Sequence, residues 1–157
     1  MSGHRVETSR LVAVEPSRAF ERLLATRQSE VFSHRYAAFP AIREVTDEPD
    51  GWGSVGQSRT LVLTDGGGMR QTITAVDPPL SYAYVLDEIH GSLRPFVRTV
   101  DGVWSVTPEG TGARIGWAWT MHPKAPPARL TMNVIGRMWK GYADRGLVEL
   151  EAILMRD

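Results

Sequence analysis

Arg59 is the residue of this chain best equipped to act on a substrate. It closes the run Gly56-Gln57-Ser58-Arg59, in a stretch where parity puts Val55, Gln57, Arg59, Leu61 and Leu63 on one side. Most of that set is bulky and apolar, so the side is expected to face inward and to carry the arginine with it. A guanidinium held there can anchor a carboxylate or stabilise charge developing on a carbonyl or enolate oxygen. The structural alternative is an arginine paired with an acid such as Asp87 or Glu88, or one whose stem is buried while its head reaches solvent. A buried arginine without any partner is too costly, so the two readings differ in what that partner is.

General acid–base chemistry needs a proton donor or acceptor within hydrogen-bond reach of the substrate, and Tyr36, Tyr82 and His34 are the candidates. Each also reads plainly as a core tyrosine or a surface histidine. Asp87, Glu88 and His90 form an acid–histidine group beside a turn, where solvated charge is the ordinary outcome. Other chemistries lack their residues. There is no cysteine, the four histidines match no metal-ligand spacing, and no G-x-S-x-G signature surrounds Ser58 or Ser105. Gly66-Gly67-Gly68 lies between two strand-like runs with no helix after it, so it reads as a hairpin turn and not a phosphate loop. Neither a metal nor a cofactor is called for.

The elements that must position these groups follow from period and punctuation. Residues 6–14 alternate loosely and give way at Glu15-Pro16-Ser17 to a helix carrying Phe20, Leu23 and Leu24 at helical spacing; a second short helix is expected over residues 29–36. From residue 41 the period becomes two. Turn signals separate six strands at 42–46, 55–64, 69–76, 80–86, 96–107 and 113–121, which makes an antiparallel meander the economical topology. After Pro127 a single apolar face, some seven turns long, carries Met132, Ile135, Gly136, Trp139, Ala143, Gly146, Leu147 and Leu150. Small residues on that face leave space, for a neighbouring backbone or for a ligand.

The chain is therefore expected to be α+β: a curved seven-stranded antiparallel sheet wrapped around a long C-terminal helix, with two short helices after the first strand. Carrying parity along the sheet gives a candidate lining. Gln57, Leu61, Gln71, Ile73 and Tyr84 come from the earlier strands, and Arg98, Trp104, Trp117 and Trp119 from the later ones. Ile135, Gly136, Trp139 and Ala143 come from the helix. An aromatic wall with a few polar groups suits a ring-containing guest bearing one or two oxygens.

The order of elements resembles the SRPBCC or START-like superfamily, with its helix-grip fold, and within it the polyketide cyclase/dehydrase-like branch. The resemblance covers essentially the whole chain. It rests on the helix from Glu15-Pro16 to Leu24, on Gly56-Gln57-Ser58-Arg59, on the strand after Gly66-Gly67-Gly68, on Asp77-Pro78-Pro79 with Tyr82, and on Trp104 to Pro108 followed by Trp117. Similar proteins bind lipids, hormones and polyketides, and some catalyse cyclisation, aromatisation or dehydration without a cofactor. The resemblance thus implies a hydrophobic, lipid- or polyketide-like ligand. As the alternative it implies a cyclase or dehydratase in which Arg59, with Tyr36 or Tyr82, polarises a carbonyl. In many relatives a glutamate partners the arginine of the G-x-x-R motif; here Gln71 stands at the matching place.

With 157 residues and 42% apolar content, one domain over 1–157 is the simplest organisation. Lysine and arginine number 18, as do aspartate and glutamate, a balance that argues against nucleic acid as partner. The polar start and the lack of any long apolar run predict a cytoplasmic protein without a membrane span. A homodimer is compatible with the sequence but not required by it.

Overall fold

A computed structural model describes residues 3–26, 40–124 and 131–156. The second short helix expected at 29–36, with His34 and Tyr36, lies outside these residues.

The chain runs β1 (His4–Val12), α1 (Pro16–Ala25), β2 (Ile42–Thr46), β3 (Ser58–Leu63), β4 (Gly68–Asp77), β5 (Ser81–His90), β6 (Val97–Glu109), β7 (Gly112–Pro123) and α2 (Met132–Leu154). All seven strands join one antiparallel sheet in the order β1-β7-β6-β5-β4-β3-β2, so the meander is closed at one edge by the first strand. Helix α1 starts where proline fixes the first turn, and the Glu15 carboxylate accepts hydrogen bonds from the backbone N–H groups of Ser17 and Arg18 at 3.1 Å each. Those two donors also hold the Glu15 carboxyl below its ordinary range.

Helix α2 is about 34 Å long at 1.5 Å per residue. It buries Met132, Ile135, Gly136, Trp139, Ala143, Gly146, Leu147, Leu150 and Leu154, with Tyr142 in addition. Its flank is zipped to β1. A Cβ on Gly136 would stand 3.0 Å from Val6 Cγ1 and 3.1 Å from His4 Nε2, so the missing side chain is what lets the strand approach. Further along, Thr8 donates to the Asp144 carboxylate, and Arg10 Nε pairs with Glu151 at 2.9 Å. The small-residue stripe therefore receives a strand at Gly136, which corrects the assignment of that glycine to a ligand wall.

The middle of the sheet meets the helix through four tryptophans. Trp104 stacks on Trp117 with centroids 4.8 Å apart, and Trp139 reaches from α2 to 5.0 Å from Trp117 and 5.9 Å from Trp119. Trp104 and Trp139 are fully buried, with Ile135 and Ala143 packed on the same helix face. This layer is solid. Any open space lies to one side of it, toward the strands β2 to β5.

Two positions of the expected lining fall elsewhere. Arg98 is exposed and donates to the Lys124 carbonyl at 3.3 Å, because the β6–β7 register shifts between Val97 and Thr99. A bulge inverts the parity of the residues beyond it, so Val97 is buried in its place. Gln57 precedes β3 altogether. Its Oε1 accepts from the backbone N–H groups of Gly53 and Ser54 at 2.7 and 2.8 Å, clipping the β2–β3 loop, while Val55 stands in solvent.

Candidate functional site

Beside the tryptophan layer, β3, β4 and β5 present Leu61, Leu63, Met69, Gln71, Tyr84 and Leu86 to a small cavity. Pro40 and Ile42 close it at the β2 end, Leu93 from the β5–β6 loop, Trp117 and Trp119 from β7, and Tyr142 from α2. The volume is about 40 Å³. Ordinary ligand pockets hold roughly 300–1,000 Å³, so these walls stand close together.

Of the residues expected in the lining, Leu61, Gln71, Tyr84, Trp117 and Trp119 meet around this cavity. Ile73, Trp104, Ile135, Gly136, Trp139 and Ala143 are buried but belong to the surrounding core. Tyr82 does not reach it either: its ring stands edge-on to Phe20 of α1 at 6.5 Å, and its hydroxyl is buried with no hydrogen-bond partner among the described residues. Tyr142 is a wall residue absent from the expected lining. Its spacing, three after Trp139 and seven after Ile135, was the available signal.

Arg59 sits behind the cavity wall, almost wholly buried. It lies directly opposite Gln71 in the β3–β4 register, and its Nε donates to Gln71 Oε1 at 2.7 Å. The charge is met by Glu48, whose Oε1 is 2.6 Å from the other side of the guanidinium, and the Trp52 ring covers it at 4.1 Å from the centroid. Both come from the β2–β3 loop. The partner expected for this arginine was Asp87 or Glu88; neither touches it. Strand β5 runs on through them to His90, with Glu88 in the left-handed region at φ 50°. Glu88 faces Arg70 on the exposed surface at 3.6 Å, and His90 Nδ1 lies 3.1 Å from the Glu88 carbonyl. Glu88 and His90 are exposed, Asp87 is half-buried with Oδ1 enclosed and without a hydrogen-bond partner among the described residues, and none of the three lines the cavity.

Tyr84 is the centre of the polar geometry. Its hydroxyl oxygen accepts a hydrogen bond from Trp117 Nε1 at 2.8 Å and another from Trp119 Nε1 at 3.0 Å. Those indoles belong to β7, two strands away from β5, and the ring must cross β6 to reach them. It crosses over Gly102. A Cβ at that position would fall 2.1 Å from the Tyr84 ring, so only glycine admits the tyrosine.

Burial pushes the Tyr84 phenol up to about 12, against the pull of the two indole donors and of the Arg59 charge. Burial raises Tyr82 and Tyr142 as well, each also disfavoured by a charge on Tyr84. The sign follows from linkage. The unfolded phenols ionise near pH 10 and the folded ones resist, so stability is complete below about pH 10 and is lost as pH rises toward 12. Tyr84 alone accounts for about 2–3 kcal/mol of that loss. Absorbance of ionised tyrosine at 295 nm is expected to rise together with loss of the fold; smooth titration of every tyrosine near pH 10 in intact protein would contradict the burial.

Comparison with known proteins decides the family. A model described as polyketide cyclase/dehydrase and lipid transport matches residues 3–154. The chain belongs to that family. Its members are of the SRPBCC type, and solved structures similar to this chain share the same helix-grip arrangement. Ara h 8.0201 superposes with a TM-score of 0.70 at 20% identity, covering 98% of this chain and 99% of its own. The protein TTHA0849 of Thermus thermophilus gives 0.69 at 16% identity, with 97% of both chains covered. The major latex-like protein 151 of Panax ginseng gives 0.66 at 16%, over 99% and 100%. These likenesses establish the fold and leave the ligand to the site. No protein of curated function matches the chain by sequence. Among the described residues no helix is long and apolar enough to cross a membrane, and no cluster of His, Asp and Glu is arranged to hold a metal.

Proposed function

We propose that this family member binds a hydrophobic, ring-containing small molecule between β2–β5 and the C-terminal helix. The observation that carries the reading is the cavity wall itself. It is apolar and aromatic on nearly every side, yet it holds two oriented polar groups, Gln71 toward β3 and the Tyr84 hydroxyl toward β7. Gln71 meets Arg59 through Oε1, but its amide N–H groups have no partner among the described residues, and a buried amide costs free energy where it is not hydrogen-bonded. The family's association with polyketides and lipids supports the same class of guest.

A cavity that binds benzene in an otherwise packed protein measures roughly 150 Å³, so the walls here have to part for a ring to enter. Binding therefore includes a conformational step, and association slower than about 10⁵ M⁻¹s⁻¹ is expected. Trp117 and Trp119 report it directly. Titration with 1-anilinonaphthalene-8-sulfonate is expected to quench their emission saturably, and native mass spectrometry of freshly purified protein to show a bound apolar compound. Linear, unsaturable quenching together with a bare mass would count against the reading.

The alternative, a cofactor-free cyclase or dehydratase, requires Arg59 and a tyrosine to face the substrate together. Arg59 is sheathed by Glu48, Trp52 and Gln71, and Tyr82 points to α1, so binding is the better-supported function.

A further inference from the structure

The side of α2 turned away from the sheet carries a second apolar pattern. Val134, Met138, Gly141, Val148, Ala152 and, just past the helix, Met155 fall within a sector of about 100°, at the alternating three- and four-residue spacing that lets two helices lie against each other. Arg145 holds the remaining position of the series. This seam is exposed. Val134, Val148 and Met155 keep 55%, 48% and 52% of their surface in solvent, and only Leu11, Val55 and Leu80 match them among the large apolar side chains of the described residues. A helix face meant for water carries charge at such positions.

The charges beside the seam have an order of their own. From Arg137 through Asp144 and Arg145 to Glu151 the signs alternate, so reversing the helix end for end sets each basic residue against an acid. Arg137 and Arg145 are exposed and form no ion pair or hydrogen bond among the described residues. Asp144 and Glu151 each use one oxygen within the chain, on Thr8 and on Arg10, and have the other to offer.

A two-fold axis beside residue 143 satisfies both patterns at once. It sets Val134 against the partner's Ala152 and Met138 against the partner's Val148. The stem of Arg145 crosses the partner's Gly141, where no side chain stands in its way. Measured along the helices, the same axis brings Arg137 to about 3 Å from the partner's Glu151 and Arg145 to about 5 Å from the partner's Asp144.

We propose that the outer face of α2 receives the α2 of a second copy of this chain, antiparallel, in a two-fold dimer. A surface that is its own complement in charge order and in apolar spacing fits a second copy, and one charged position in an apolar seam fixes the register. The contact is small. A strip about 34 Å long and about 10 Å wide on each copy covers about 700 Å² in all, less than the roughly 1,000 Å² of a stable interface, so the dimer is reversible, with a dissociation constant of about 10–100 µM.

Sedimentation velocity of the full chain from about 5 to about 500 µM is the test. The average mass is expected to rise with concentration from 17.4 kDa toward twice that value. Val148→Asp places a charge in the seam, and Arg145→Glu faces the partner's Asp144 with its own sign; each is expected to weaken the dimer at least about tenfold with an unchanged circular dichroism spectrum. The double variant Asp144→Arg/Arg145→Glu restores opposite charges across the axis and is expected to bring the dissociation constant back to within about threefold of the unaltered chain. If Val148→Asp fails to fold, Arg145→Glu and the double variant decide. A chain that stays monomeric throughout overturns the proposal, as does a dimer that neither single variant weakens, since it then pairs through another face. Retention of a monomeric chain on vesicles of equal parts phosphatidylcholine and phosphatidylglycerol also overturns it, and assigns the strip to a lipid surface.

Discussion

Glu48→Ala is expected to destabilise the protein by about 3 kcal/mol, because it strips a buried guanidinium of the one carboxylate that meets it among the described residues. Arg59 is almost completely enclosed, whereas the Glu48 side chain keeps 26% of its surface in contact with solvent. The lower end of the range for a broken buried pair is therefore the appropriate figure. For a chain of this size that lowers the melting temperature by roughly 6–12 °C. The opposite truncation is asymmetric. Arg59→Met leaves Glu48 free to hydrate and removes the buried charge, so about 1–2 kcal/mol is expected, chiefly from the donor lost to Gln71. The double variant Glu48→Ala/Arg59→Met is expected to be more stable than Glu48→Ala alone, as removal of both ions abolishes the unpaired one. Urea denaturation of the three variants measures this. A loss under about 0.5 kcal/mol for Glu48→Ala would mean that the arginine charge is balanced by something else.

The second large effect concerns a residue with no functional group. Gly102→Ala puts a methyl where the Tyr84 ring lies, with contact distances of 2.1 Å to Cζ and 2.5 Å to the hydroxyl oxygen. Neither β5 nor β6 can yield, since each is paired on both sides, so the ring has to swing away. Overpacking contributes about 1–3 kcal/mol, and the indoles of Trp117 and Trp119 lose their acceptor at about 1 kcal/mol or more each. A total of about 3–5 kcal/mol is expected. Tryptophan emission should shift at the same time, because the hydrogen bond to each indole is gone. Gly116→Ala on the neighbouring strand is the useful contrast: its Cβ would meet the Ser105 hydroxyl, a small group at the half-exposed outer face, and a loss of under about 1 kcal/mol is expected. Equal losses for the two variants would refute the crossing geometry.

The pattern of period and punctuation was sufficient for the strands and the long helix. The burial of Arg59, Leu61, Leu63, Gln71 and Ile73 follows from alternation, since a strand with one packed face has no freedom of parity. The same rule misplaced Arg98 because a bulge adds a residue that alternation cannot see. It misplaced Gln57 because the strand had not yet begun and the glutamine was holding a loop. Gly136 was legible as a small residue on a buried face. Whether a strand or a guest occupied the space above it was not, because that depends on which element is packed there.

The sequence by itself determined the architecture, the aromatic character of the interior and the placing of Arg59 and Gln71 on one inward face of a hairpin. Each is set by local period or by neighbours a few residues apart on adjoining strands. Only the tertiary structure decided that Glu48 and Trp52 sheathe Arg59, that Tyr84 crosses Gly102 to bind two indoles, and that the open space lies beside the tryptophans. Those contacts are made across loops and strands whose approach no local period specifies, and which polar atom is left over for a guest is known only after every internal partner has been assigned.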